Sequence, residues 1–446
     1  MPSATRSRAR REPIALVLAG GGARGAYEAG VLDVLAPELS RRGQAPDVLV
    51  GTSIGALNSA FLAARAHEPF VDAAQAMAQM WAELGWGDAL RPLLSGPELR
   101  RLLGAGAMVA GLPGSHLPAL LDPSPLRRTL TRMVSFERIT RNVMDRSLTA
   151  VGVVATSYAS TRSVVFHHGG SPPAADPARA LDYAATPLLP EHVLASAAIP
   201  GAFPAVEVRR PREVAGWYGD GGVRLNAPLA PALALGGRRV IVIGLNSSVT
   251  PAGRELRPDA LDGLAQLMQV ALSDQLAEDV DTLATINEGL PARTTGSRTA
   301  ASGTAASGTA ASRTAASRAA AASPTAASGP AAARGRTSKR PAAGGHARRR
   351  VPYIFIAPAD RLEIGRLART VYDRHYAGLD ALLRGSSVGL LGRILNARRG
   401  PVHGEVLSYL FLAREFIAEL VALGRRDAER WLEERHDSGL WQVGRL

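Results

Sequence analysis

The sequence predicts an α/β fold built on a mostly parallel central sheet. Three observations carry that expectation. Twice within the first 66 residues, a short apolar run ends in glycines and gives way to a segment with helical spacing. Further apolar, β-branched runs stand at 239–245 and 351–357, and helical patterns dominate from there to the end. Alternating buried strands and helices are expected when parallel strands are covered on both faces.

The elements follow in order. Residues 14–19 (Ile-Ala-Leu-Val-Leu-Ala) are apolar, partly β-branched and stopped by Gly20, which reads as a buried strand. Residues 26–39 place Ala29, Leu32, Leu35 and Leu39 on one stripe of a helix. Residues 48–50 form a second strand, and 56–66 a second helix. From 70 to 145 the pattern is helical and punctuated by glycine. Within it, residues 104–114 are apolar without periodicity and read as a buried packing loop, or alternatively as a mobile lid. Residues 149–156 and 162–167 suggest two strands joined by a turn at 158–161. Asp220, in Trp217-Tyr218-Gly219-Asp220-Gly221-Gly222, reads as an acid held in a tight turn.

Composition bounds the function classes. The chain has 446 residues, 46% of them hydrophobic, which is ample for a sizeable core. It has no cysteine, so disulfides, thiolate metal sites and cysteine nucleophiles are excluded. The net charge of +13 sits in two tails. Residues 291–350 hold ten Arg and Lys339 with no acid, residues 1–13 hold four Arg and one Glu, and the remainder is near neutral. A basic groove on the fold is therefore not expected, and neither is nucleic-acid binding. The Arg-rich tails favour loose peripheral contact with anionic membranes. Arg6 to Arg11 followed by six apolar residues imitates a signal peptide, but the apolar part is too short. A cytoplasmic protein, with peripheral membrane contact at most, is expected.

Thr-Ala-Ala-Ser recurs at 299, 304, 309, 314 and 325. Such a segment has too little apolar surface to offset its ordering entropy. Residues 291–350 are thus expected to be a disordered insertion, since a strand signal follows them. The organisation expected is a basic, disordered 1–13, a catalytic domain over 14–290, the insertion, and 351–446 completing that domain with a last strand and helices.

Two motifs point to chemistry. Gly51-Thr52-Ser53-Ile54-Gly55 closes a strand and opens a helix, which is how a nucleophile elbow exposes a serine. Gly20-Gly21-Gly22-Ala23-Arg24-Gly25 lies between a strand and a helix and allows two readings. One is a dinucleotide-binding loop, which expects an acid at the end of the second strand, whereas Asp47 stands before it. The other is a set of N–H donors that holds an oxyanion, with Arg24 adding charge or fixing the loop. For the base, none of the histidines sits in a turn after a strand, where a serine–histidine triad needs one. Asp220 is the more specific candidate.

Taken together, the motifs resemble those of the patatin-like phospholipase family. Gly20, Gly21, Gly22, Arg24 and Gly25 correspond to its oxyanion-hole motif, Gly51-x-Ser53-x-Gly55 to its elbow, and Asp220-Gly221-Gly222 to its second catalytic motif, in the family's order. The resemblance covers about 14–290, with a weaker echo at 416–427. It implies a three-layer α/β/α fold with a mostly parallel central sheet and a helical C-terminal region. It implies Ser53 as nucleophile, Asp220 as general base, and a lipid or other ester as substrate. No metal or other cofactor is expected. An unperturbed aspartate, with a pKa of about 3.9, is a weak proton acceptor near neutrality, which favours esters over amides unless its surroundings raise that value. A membrane-surface or regulatory protein with a residual site remains the alternative.

Overall fold

The computed structural model describes residues 12–91, 121–245, 276–290, 349–378, 387–395, 401–436 and 438–445. The expectations for 104–114, and nearly all of those for 1–13 and 291–350, lie outside the described residues. By their contacts, Met1–Gly289 and Arg350–Leu446 form one compact unit and Leu290–Arg349 another. Every element described below belongs to the first.

In chain order the strands are β1 (Ile14–Leu18), β2 (Val48–Thr52), β3 (Ala150–Ser157), β4 (Ser163–Gly169), β5 (Ala175–Asp176), β6 (Leu181–Ala185), β7 (Val206–Val208), β8 (Gly216–Asp220), β9 (Arg239–Ile243) and β10 (Tyr353–Ile356). Among the described residues they make one sheet, whose main path runs β10-β9-β1-β2-β3-β4-β6-β5. Neighbours from β10 to β3 are all parallel. β4 turns back antiparallel on β3. The fold class is therefore as expected: a mixed sheet of mostly parallel strands flanked by helices, with a helical C-terminal region.

β1 and β2 are buried at every position, which explains why they read as continuous apolar runs rather than as alternating ones. Helix α1 (Gly25–Arg41) follows the glycine loop, and helix α2 (Ile54–Ala64) follows the elbow. Helix α3 (Phe70–Glu83) contributes the fully buried Trp81. The long C-terminal helix Arg414–Glu434 packs against α1. Gly30 faces the Val421 carbonyl and Gly424 faces the Tyr27 carbonyl, so the two helices approach backbone to backbone.

One detail of register positions the site. Along one edge of β3, β2 pairs up to Thr52 opposite Val154. β4 occupies the other edge through Thr156. β8 pairs antiparallel with the next positions of β3, with Asp220 opposite Ala155. β2 and β8 therefore run head-on toward each other along the same edge of β3. β8 was expected only as a turn, because Gly216 and Gly219 mask a strand whose partners lie elsewhere in the chain.

Candidate active site

Ser53 stands where β2 ends and α2 begins. Its backbone has φ 54° and ψ −120°, a left-handed conformation that a side chain tolerates only when its surroundings impose it. The glycines of the elbow create that room. A Cβ on Gly51 would lie 2.0 Å from the Gly55 carbonyl oxygen, and one on Gly55 would lie 2.3 Å from the Leu18 carbonyl oxygen. The Ser53 N–H donates to Ser196 Oγ at 2.8 Å, and that hydroxyl donates onward to the Val154 carbonyl. Ser196 ends the helix Pro190–Ser196. Nothing in its sequence context singled it out.

Ser53 Oγ donates to Asp220 Oδ2 at 2.7 Å. The other carboxylate oxygen, Oδ1, accepts the Gly222 N–H at 2.6 Å. Asp220 is 1% exposed, and burial pushes its pKa up to about 7 against the opposing pull of the Ser53 and Gly222 hydrogen bonds. The expectation of a weakly basic carboxylate is corrected accordingly. Taken out of water, Asp220 has a proton affinity close to that of a histidine. Basicity alone no longer argues for esters over amides. Gly221 fits between the strands, where a Cβ would lie 2.2 Å from the Val154 carbonyl oxygen.

The glycine loop follows β1, the strand beside β2. Gly22, at φ 58°, and Ala23 line a cavity together with Ser53. Not all five expected loop residues offer a free backbone donor. Gly20 N–H donates to the Asn226 carbonyl at 3.2 Å, Arg24 N–H to Gly21 O at 3.2 Å, and Gly25 N–H to the carbonyls of Gly22 and Ala23. Among the described residues, no acceptor meets the N–H groups of Gly21, Gly22 and Ala23. Arg24 resolves the choice between added charge and anchoring. It is 1% exposed, paired with Glu405 and bonded to Ser408, so its side chain fixes the loop.

Asn226 ties the glycine loop to the segment after Asp220. Its Nδ2 donates to Gly20 O at 3.1 Å while its own carbonyl accepts from Gly20 N–H. It lies six residues past Asp220, within the stretch 223–228, where its sequence context assigned it no role of its own. A second buried network holds α1 to α2. Asn58 Nδ2 donates to Gly25 O and Glu28 Oε2, and Trp81 Nε1 donates to Asn58 Oδ1.

The cavity beside Ser53 measures about 80 Å³ and is walled largely by Ile54, Leu57, Trp81, Leu90, Phe203 and Leu412. Among the described residues, no histidine hydrogen-bonds to Ser53 or Asp220. His192, instead, accepts from Leu189 N–H at 3.0 Å and meets the Arg210 carbonyl at 2.8 Å, a structural role. Nor does any group of three or more His, Asp or Glu side chains there form a metal-binding set. Asp47, the residue the dinucleotide reading needed, bonds the Ile14 backbone at the amino ends of β1 and β2, away from the glycine loop.

A left-handed serine at a strand–helix elbow above a mostly parallel sheet has the geometry of a nucleophile elbow, and here its hydroxyl meets a buried carboxylate instead of a histidine. Residues 16–233, just under half of the chain, match the family described as Patatin-like phospholipase. Among solved structures, the crystal structure of VipD from Legionella pneumophila is similar at 13% identity and a TM-score of 0.28. The likeness covers 63% of this chain and 55% of that one, little more than half of its length. No curated protein matches the sequence. Among the described residues, no helix is long and apolar enough to cross a membrane.

Proposed function

We propose that this protein is a serine acyl-ester hydrolase of the phospholipase A type, working through a Ser53–Asp220 dyad. The observation that carries the reading is the 2.7 Å hydrogen bond from Ser53 Oγ to the buried Asp220 Oδ2. Asp220 takes the hydroxyl proton as Ser53 Oγ attacks the acyl carbonyl. The developing oxyanion is held by the N–H groups of Gly21, Gly22 and Ala23, and the α2 N-terminus below Ser53 favours the same negative charge. Protonated Asp220 then gives its proton to the departing alkoxide, leaving an acyl-Ser53 ester. A water that loses its proton to Asp220 hydrolyses that ester and restores the serine.

The substrate class follows from two supports. The family is one of lipid acyl hydrolases, and the cavity beside Ser53 is apolar, as an acyl chain requires. The test is fluorophosphonate labelling together with fatty-acid release from phospholipid vesicles. Wild-type protein should be labelled and active, and Ser53→Ala neither. Equal behaviour of the two proteins in both assays would remove the assignment.

A further inference from the structure

The loop that carries the candidate oxyanion donors is fastened from the far end of the chain. Arg24 directly follows Gly21, Gly22 and Ala23, and its side chain runs into the helix Pro401–Leu410. Its Nη2 donates to Glu405 Oε2 at 2.6 Å and to the Glu405 carbonyl at 2.8 Å. Its Nε donates to Ser408 Oγ at 2.7 Å, and its guanidinium lies 4.1 Å from the centre of the Tyr409 ring. Glu405 is held in turn, because its Oε1 accepts the Gly365 N–H at 2.7 Å from the helix Glu363–His375. Ser408 is held as well, donating to the Glu405 carbonyl at 2.6 Å. Gly22 sits directly against the Tyr409 carbonyl.

These contacts leave Arg24 with fixed direction and no net local charge. A guanidinium paired at this distance with a buried carboxylate cannot also serve as the anion's counter-charge in the site. Its work is geometric. Three consecutive glycines, Gly20 to Gly22, give the loop wide backbone freedom, and donors aimed at an oxyanion stabilise it only if they are held before the reaction. We infer that Glu405 and Ser408 are positioning residues for the oxyanion loop, acting through Arg24 from outside the family-matched segment. The same segment reaches the cavity, because Tyr409, Leu410 and Leu412 line it beside Ser53. The catalytic site is therefore incomplete without residues 401–412.

The inference rests on the reading of Ser53 as nucleophile, so its test separates the two. In the full-length chain, Glu405→Gln and Ser408→Ala are compared with wild type for hydrolysis of a soluble chromogenic ester, fluorophosphonate labelling rate, pH profile and melting temperature. Glu405→Gln leaves a buried guanidinium without its counter-charge, and Ser408→Ala is the milder second variant. The expected result is kcat lower by about 10²-fold for Glu405→Gln and by about tenfold for Ser408→Ala. The labelling rate should fall in parallel, while KM and the pH midpoint stay where they are. Unchanged kcat per labelled serine in the folded variants overturns the inference, as does a loss that only tracks the unfolded fraction. Absence of labelling in the wild type overturns the hydrolase reading itself, and this inference with it.

Discussion

Ser53 and Asp220 meet because two strands arrive from opposite directions at neighbouring positions of β3. Thr52, the residue before Ser53, pairs with Val154, and Asp220 pairs with Ala155. The backbone ladder thus holds both residues, and the 2.7 Å contact does not depend on a flexible loop finding its partner. Burial, which leaves Asp220 1% exposed, then raises the pKa of its carboxyl to about 7.

Asp220→Asn should keep the fold and lose turnover. Asparagine retains an acceptor for the Gly222 N–H but cannot take the proton from Ser53. A fall in kcat of roughly 10⁴-fold is expected, measured on the chromogenic ester with a folded variant confirmed by circular dichroism. Near-wild-type turnover would move the base role to another residue.

The pH profile follows from the same carboxylate. Asp220 must be ionised to accept a proton, and burial raises its pKa to about 7. Accordingly kcat/KM should rise as pH increases through about 7 and level off above it. A profile already flat at pH 5 would contradict the raised value.

Stability should move the opposite way. An acid whose folded pKa lies above its unfolded value of about 3.9 binds protons more tightly in the folded state. Its contribution is full below about pH 4 and is lost as pH rises through about 7. Relative to wild type, Asp220→Asn should therefore gain thermal stability on going from pH 4 to pH 8. Melting curves at both pH values check the sign.

Ser196→Ala tests the elbow's support. The substitution removes the acceptor of the buried Ser53 N–H and the donor to Val154 O. A cost of about 1–3 kcal/mol is expected from the unsatisfied groups, together with a lower kcat as Ser53 relaxes from its φ of 54°. Denaturant titration and active-site labelling rate measure the two effects separately.

Gly22→Ala tests the loop. The left-handed backbone alone costs an alanine about 1–2 kcal/mol. Its Cβ would also stand 2.0 Å from the Tyr409 carbonyl oxygen, so the loop must shift. The variant should lose at least about 10²-fold in kcat, as when an oxyanion donor is lost. Ala23→Gly, which adds no atoms, should be far milder, and the ratio of the two rates is the measurement.

Much of this was readable because it is local. The strand before Gly20, the helix after it and the elbow around Ser53 depend on residues within a few positions of each other. Observed bounds such as Ile14–Leu18, Val48–Thr52 and Arg239–Ile243 stand within two residues of those expected. The short strands β5, β6, β7 and β8 were not readable, because they run for only two to five residues in which Asp, Glu, Gly or Ala break any local apolar signature.

The sequence by itself determined the family resemblance, the α/β architecture and the identity of the candidate dyad. Glycine spacing and apolar runs encode a strand–turn–helix without reference to anything distant. The tertiary structure alone decided which loop N–H groups stay open, how basic Asp220 is, and that Glu405 and Ser408 hold Arg24. Each of these depends on groups up to nearly 400 positions apart brought into one water-excluded volume. There, desolvation and hydrogen-bond geometry set the chemistry, and neither is a property of any short stretch of chain.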